Sequence, residues 1–166
     1  TDAMDQPKRW AEMINAPMIP DIVLHEENVG QRFLDGRGAT LPGDEVLLAQ
    51  QWMLVDRSVF EVESAEPGVL DLRDLATGEA MEVTNIVDGP MSKPGTILIG
   101  RPLPVVDTYR AFSGFMALRP DLVREALSVL DDRDPDALVA LLGSMHRVPT
   151  IRNTDGQNMA PTEITW

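Results

Sequence analysis

Three carboxylates, Glu61, Glu63 and Asp71, are the residues of this chain whose types and spacing come closest to catalysis. In SVFEVES the period of two puts Glu61 and Glu63 on one strand face, and a turn at Glu66-Pro67-Gly68 would bring Asp71 of VLDLRDL across from them. Such a set could serve a hydrolase as an acid and base pair, or hold a hard divalent cation. The same alternation also predicts an ordinary wet, charged face, which Arg73 can neutralise. Other chemistries find less. His25-Glu26-Glu27 is a run of adjacent residues that cannot converge on one metal ion, and His146 with Arg147 reads as a cationic helix end. Ser113 lacks the glycine pattern of a nucleophile elbow. Gly36, Gly38 and Gly43 are not followed by the Lys-Ser or Lys-Thr of a phosphate loop. No cysteine is present, which removes disulfides, thiol nucleophiles and thiolate metal sites and makes a reducing, cytoplasmic compartment the natural one. No catalytic residue, metal ligand or cofactor is therefore assigned.

The elements that would position these groups belong to one compact unit of 166 residues, long enough for a full hydrophobic core. A net charge of -13, with fourteen basic residues spread along the chain, disfavours phosphate backbones and anionic lipid. No apolar run is long enough to span a bilayer, and a soluble protein is expected. Residues 1–40 read as a peripheral helical extension. PKRWAEMINA is one helix, APMIPDIV a break made by Pro17 and Pro20, and ENVGQRFLDGRG a second helix with Val29, Phe33 and Leu34 together.

Residues 41–118 read as a helix followed by a small barrel. LPGDEVLLAQQWMLV carries Leu47, Leu48, Trp52 and Val55 as its buried stripe. Strands follow in VFEVES, VLDLRDL and the segment around Met81 and Val83, then in TILIGRPLPVV and YRAFSGFMAL, with turns at Glu66-Pro67-Gly68, Ala76-Thr77-Gly78, Asp88-Gly89-Pro90 and Lys93-Pro94-Gly95. Phe60, Val62, Leu70, Leu72, Met81 and Val83 are predicted to point inward together. Residues 119–148 return to a helical period, with Leu122, Val123, Ala126, Leu127 and Leu130 in one stripe and Leu138, Leu141 and Leu142 in the next, a helical hairpin. Residues 149–166 form an extended tail with a turn at Asp155-Gly156. The predicted class is α+β: a small antiparallel β-barrel or rolled sheet of about five strands, flanked by N-terminal helices and a C-terminal helical hairpin.

The order LPGDEVLLAQQWMLVDRSVFEVES, VLDLRDLATGEAMEV, KPGTILIGRPLPV, AFSGFMAL, helical pair and IRNTDG resembles the core of actinobacterial SEC-C-domain-containing proteins, whose function is largely unassigned. The resemblance runs from about Leu41 to Gly156. The cysteine-rich zinc motif that names the family has no counterpart here, so the resemblance transfers no metal residue. In such relatives the NTDG turn leads into a further apolar strand, whereas here the sequence continues Gln157-Asn158-Met159-Ala160-Pro161 and stops at Trp166. An end of that kind is expected to need cover, by self-association or by a docked segment.

The functional expectation is a non-enzymatic binding or accessory module with a protein partner, or self-association through the tail, and with no nucleic acid and no membrane. Trp10, Trp52, Phe112, Phe115 and Trp166 are its aromatic candidates. The competing expectation is a small carboxylate-based or divalent-metal-dependent hydrolase acting through Glu61, Glu63 and Asp71.

Overall fold

A computed structural model describes residues 18–84, 93–111 and 115–145, with the backbone of 151–152 and 158–159. Within them, helices α1 (Met18–His25), α2 (Val29–Arg37) and α3 (Gly43–Met53) precede a sheet, and helices α4 (Val123–Asp132) and α5 (Pro135–Met145) follow it. The sheet has seven strands: β1 (Ser58–Glu66), β2 (Val69–Asp74), β3 (Ala80–Thr84), β4 (Ile97–Gly100), β5 (Leu103–Val105), β6 (Thr108–Arg110) and β7 (Met116–Ala117). Their spatial order is β5-β6-β3-β2-β1-β4-β7, antiparallel except for the parallel β3–β6 pair. The fold is α+β, with the sheet curled into a half-barrel.

The alternation in the strands explains the curl. Phe60, Val62, Leu70, Leu72 and Val83 all face inward and are almost fully buried, joined by Leu98 and Phe115, with Met81 packed against them. Val62 lies opposite Leu72, Leu70 opposite Val83, and Leu72 opposite Met81, so each cross-strand pair adds to one apolar face. Seven strands appear rather than five because two apolar stretches each break. TILIGRPLPVV divides into β4 and β5 around Arg101-Pro102, and YRAFSGFMAL contributes β6 and β7. Proline supplies no backbone donor, so the ladder cannot run through Pro102.

A second core lies on the outer face of the sheet. Val59 of β1 and Ile99 of β4, directly opposite each other, pack with Ile22 of α1, Ala126 of α4 and Leu138, Leu141 and Leu142 of α5. The strands β1 and β4 are thus buried on both faces, while β2 and β3 keep one polar face. The hairpin α4–α5 forms as its stripes predict. Arg133 closes α4 in the left-handed region, and Asp134 caps α5 by accepting hydrogen bonds from the amides of Asp136 and Ala137 at 3.0 and 3.1 Å.

Several expectations change. Within APMIPDIV the stretch from Met18 to Val23 is helical and not a break: α1 starts at Met18, which places Pro20 in the first turn, where its missing N–H would have had no intrahelical partner, while Ala16 and Pro17 lie outside the described residues. Nor is that helix peripheral, because Ile22 and Asp21 are buried. In α3 no residue is fully buried and Leu47 is 63% exposed, so the predicted stripe is displaced toward Val46, Leu48, Ala49, Trp52 and Met53. Phe33 is exposed as well. The predicted helix PKRWAEMINA lies outside the described residues. In the tail, Ile151–Arg152 (β8) and Asn158–Met159 (β9) pair with each other antiparallel, on either side of the predicted turn. Among the described residues no helix is long and apolar enough to cross a membrane.

Gly100 shows how tightly the inner core closes. A Cβ there would stand 2.7 Å from ring atoms of Phe115, whose ring centroid is 5.9 Å from that of Phe60. We expect Gly100→Ala to destabilise the fold by about 1–3 kcal/mol through displacement of Phe115. Thermal or urea unfolding checks this, and unchanged stability would show that the ring can move aside freely.

Candidate functional site

Charged residues within apolar stretches build the site. Asp21 sits in MIPDIVL on α1, Arg57 just before β1, and Arg101 between β4 and β5; all three are buried. Glu26 and His25 extend the set from the end of α1. An isolated buried charge is strongly disfavoured, so these groups must satisfy one another. They do so as an interlocked square. Arg57 Nη2 donates to Asp21 Oδ2, and Arg57 Nε donates to Glu26 Oε1 at 3.1 Å. Arg101 Nε donates to the same Asp21 oxygen at 3.3 Å, and Arg101 Nη2 to Glu26 Oε1 at 2.7 Å. Each carboxylate bridges both guanidiniums, and Arg101 Nη1 also donates to the Val55 carbonyl. Two positive and two negative charges leave the square neutral.

His25 stands beside it with its side chain 6% exposed and Nε2 3.7 Å from Asp21 Oδ1. Its Nδ1 is buried and has no hydrogen-bond partner among the described residues. Burial, which penalises the charged imidazole, lowers its pKa, and the nearby Arg101 guanidinium adds to that; Asp21 and Glu26 pull the other way. The ring is therefore neutral near pH 7.

A cavity of about 610 Å³ opens next to this network. Its walls come from the end of α1 (His25, Glu26), the approach to β1 (Arg57, Ser58), Arg101, the turn after β2 (Asp74, Ala76, Thr77) and the α4–α5 hairpin. Asp74 is fixed by its own turn: its Oδ1 accepts hydrogen bonds from Ser58 Oγ at 2.9 Å and from the amides of Ala76 and Thr77.

The acidic strand face is arranged differently. The β1–β2 register shifts between Val62 and Ser64, so that Ser64, not Glu63, lies opposite Asp71. Ser64 Oγ donates to Asp71 Oδ2, and Glu63 forms an exposed ion pair with Arg73 at 2.5 Å. Glu61 has Arg73 and Ile97 as its cross-strand neighbours. None of Glu61, Glu63 and Asp71 lines the cavity. Among the described residues no group of three or more histidines and carboxylates is placed to hold a metal ion.

Of the aromatic candidates, Phe115 is part of the inner core, and Trp52 donates its indole N–H to the Pro104 carbonyl at 2.8 Å, tying α3 to β5. Trp10, Phe112 and Trp166 lie outside the described residues, as does His146. Asp21, Arg57 and Arg101 are not among the residues that the sequence nominates by motif. The available signal was a charge embedded among apolar neighbours, in IPDIV, VDRSVF and LIGRPL, a pattern that calls for paired burial.

No family model matches the chain, and no curated protein or solved structure matches it either.

Two outcomes follow from the network. Arg101→Met, which leaves Asp21 and Glu26 with one guanidinium between them, should lower the unfolding free energy by about 3–5 kcal/mol, measured by urea titration. The second concerns pH. The unfolded chain binds a proton at His25 more readily than the folded one, so this group's contribution is full above about pH 6.5 and is lost as pH falls toward the lower folded value. His25→Gln should therefore flatten the decline in Tm below that pH relative to the wild type. Parallel Tm profiles for the two would contradict the assignment.

Proposed function

We propose that this chain is a non-enzymatic binding or accessory module whose partner is a protein. The observation that carries the reading is the exposure of large apolar side chains on two elements bound to each other. Leu47 and Leu54, 63% and 82% exposed, lie on and just after α3, and Val106, 91% exposed, lies at the tip of the β5–β6 hairpin. The Trp52 to Pro104 hydrogen bond joins helix to hairpin, so the elements that carry these groups support each other. Exposed apolar side chains on elements that hold each other in place are what protein interfaces require.

Two further observations support it. Val106 holds a φ of 56°, which is unfavourable for a β-branched residue and gains nothing from burial, and strain of this kind collects at functional surfaces. Glu63 pairs with Arg73 and Asp71 with Ser64, and none of Glu61, Glu63 and Asp71 lines the cavity. The charge of -13 favours a protein over a nucleic acid or an anionic membrane as partner. The resemblance of Leu41 to Gly156 to SEC-C-domain-containing proteins belongs to the same proposal and adds no activity to it.

The test places a photo-cross-linking amino acid at position 54, and as a control at Glu79, in cells that express the protein naturally. We expect one discrete adduct from position 54, none from position 79, and loss of the adduct on Leu47→Glu, with folding stability altered by no more than about 0.5 kcal/mol. Equal, diffuse labelling from both positions would dispose of the reading.

A further inference from the structure

Helix α1 is attached to the rest of the protein by little apolar surface. Ile22 is its one fully buried apolar side chain among those described, while Val23 and Leu24 are 42% and 44% exposed. The outer core into which Ile22 fits is otherwise built by the sheet and by α4 and α5, with Val59, Ile99, Ala126 and Leu138 at its centre. What fixes the helix is charge: Asp21 and Glu26 meet Arg57 and Arg101, which belong to the ends of β1 and β4. A helix of eight residues is too short to persist alone in water, so α1 is helical because it is docked.

His25 places a titratable group inside that attachment. Its side chain is 6% exposed, and the charged groups that act on the ring are Arg101, Asp21, Glu26 and Arg57. The other elements along the neighbouring cavity contribute Asp74, whose Oδ1 is taken up by Ser58 and by its own turn, and Asp56, Asp131, Arg133 and Asp134, which are exposed and screened by water.

While the imidazole is neutral, two guanidiniums stand against two carboxylates and the network balances. A proton on the ring adds a third cation, and Asp21, the carboxylate nearest it, already serves both arginines through Oδ2. The imidazolium also carries an N–H at both ring nitrogens, whichever one held the proton before. At Nδ1 that N–H is buried with no acceptor among the described residues, which is unfavourable in the docked state only. Burial, and after it the Arg101 guanidinium, accordingly lower the pKa of the docked ring, whereas an undocked ring in water takes up its proton at about 6.5.

We propose that α1 is an acid-released latch: protonation of His25 frees the helix from Arg57 and Arg101 and uncovers the part of the outer core that Ile22 covers, while the seven-stranded sheet keeps its pairing. Because the undocked ring binds the proton more tightly, undocking grows as pH falls below about 6.5 and levels off once the docked ring is protonated too.

The experiment is amide hydrogen exchange of the full chain followed by NMR, with the intrinsic pH dependence of exchange removed. Undocking melts α1, so its reporter is the amide of Glu26, which donates to the Ile22 carbonyl at 2.9 Å. The sheet is reported by Val62 and Leu118, whose amides donate to the Thr96 and Ile97 carbonyls at 2.9 and 2.8 Å. Protection at Glu26 is expected to lie about a hundredfold or more below that at Val62 and Leu118, the mark of a helix that opens with the sheet intact. Between about pH 7.5 and about pH 5.5 it should fall by up to about tenfold, as one linked proton requires, and this fall should vanish in His25→Gln. In the wild type the fall ends where the His25 imidazole signals complete their own titration, a readout that needs no variant. Glu26 as well protected as Val62, protection at Glu26 that stays flat while His25 titrates, or an unchanged pH dependence in His25→Gln would each overturn the proposal.

Discussion

Two guanidiniums cannot be held against the back of a β-sheet unless carboxylates reach them there, and that requirement organises this protein. Arg57 enters β1 and Arg101 leaves β4, adjacent strands of the sheet, so their charges arrive together on the outer face. Asp21 in the first turn of α1 and Glu26 just past its end, five residues apart, bridge both. The arrangement fixes where α1 sits and in what rotation, because Ile22 must at the same time reach the core beside Val59 and Ile99. Replacing the square with apolar residues of similar volume would preserve contact. It would give up the directional hydrogen bonds that select one position of the helix among many.

The two cores meet at the same strands. Because β1 and β4 are buried on both faces, Val59 and Phe60 are consecutive core residues of different clusters, as are Ile99 and Leu98. A shift of register by one residue would exchange inner and outer packing on these strands and also move Arg57 and Arg101 out of reach of α1. The inner core alone could form in a simple meander. The outer core and the ion network together determine that the helices lie on one particular face.

The scaffold leaves two parts unfinished. The half-barrel is filled by its own core, with Phe60 packed against Phe115, and Glu63 and Asp71 are paired locally with Arg73 and Ser64. Leu47, Leu54 and Val106 stay exposed on and beside α3 and on the β5–β6 hairpin, and beside the cavity between α1 and the α4–α5 hairpin the buried His25 Nδ1 has no partner among the described residues. Each follows from connectivity. Pro102 ends β4 and lets the chain turn away into β5, and Trp52 then holds α3 on that displaced strand rather than on the core.

The sequence by itself determined the inward set of Phe60, Val62, Leu70, Leu72, Met81 and Val83 and the helical hairpin, because period-two and helical apolar patterns are local properties that a strand or helix must obey wherever it packs. It also displayed the turn residues that separate β1 from β2 and β2 from β3. Tertiary structure alone decided the burial of Asp21, Arg57 and Arg101. Their positions lie up to 80 residues apart, and only the pairing of β1 with β4 brings their charges within hydrogen-bonding distance. The bulge that sets Ser64 rather than Glu63 opposite Asp71 is likewise a product of pairing, since one inserted residue changes no composition and no periodicity that can be read along the chain. The helical tract from Met18 shows the same limit from the other side. Two prolines read locally as a break, yet burial of Ile22 and neutralisation of two distant arginines hold the helix in place once Pro20 falls within its first turn.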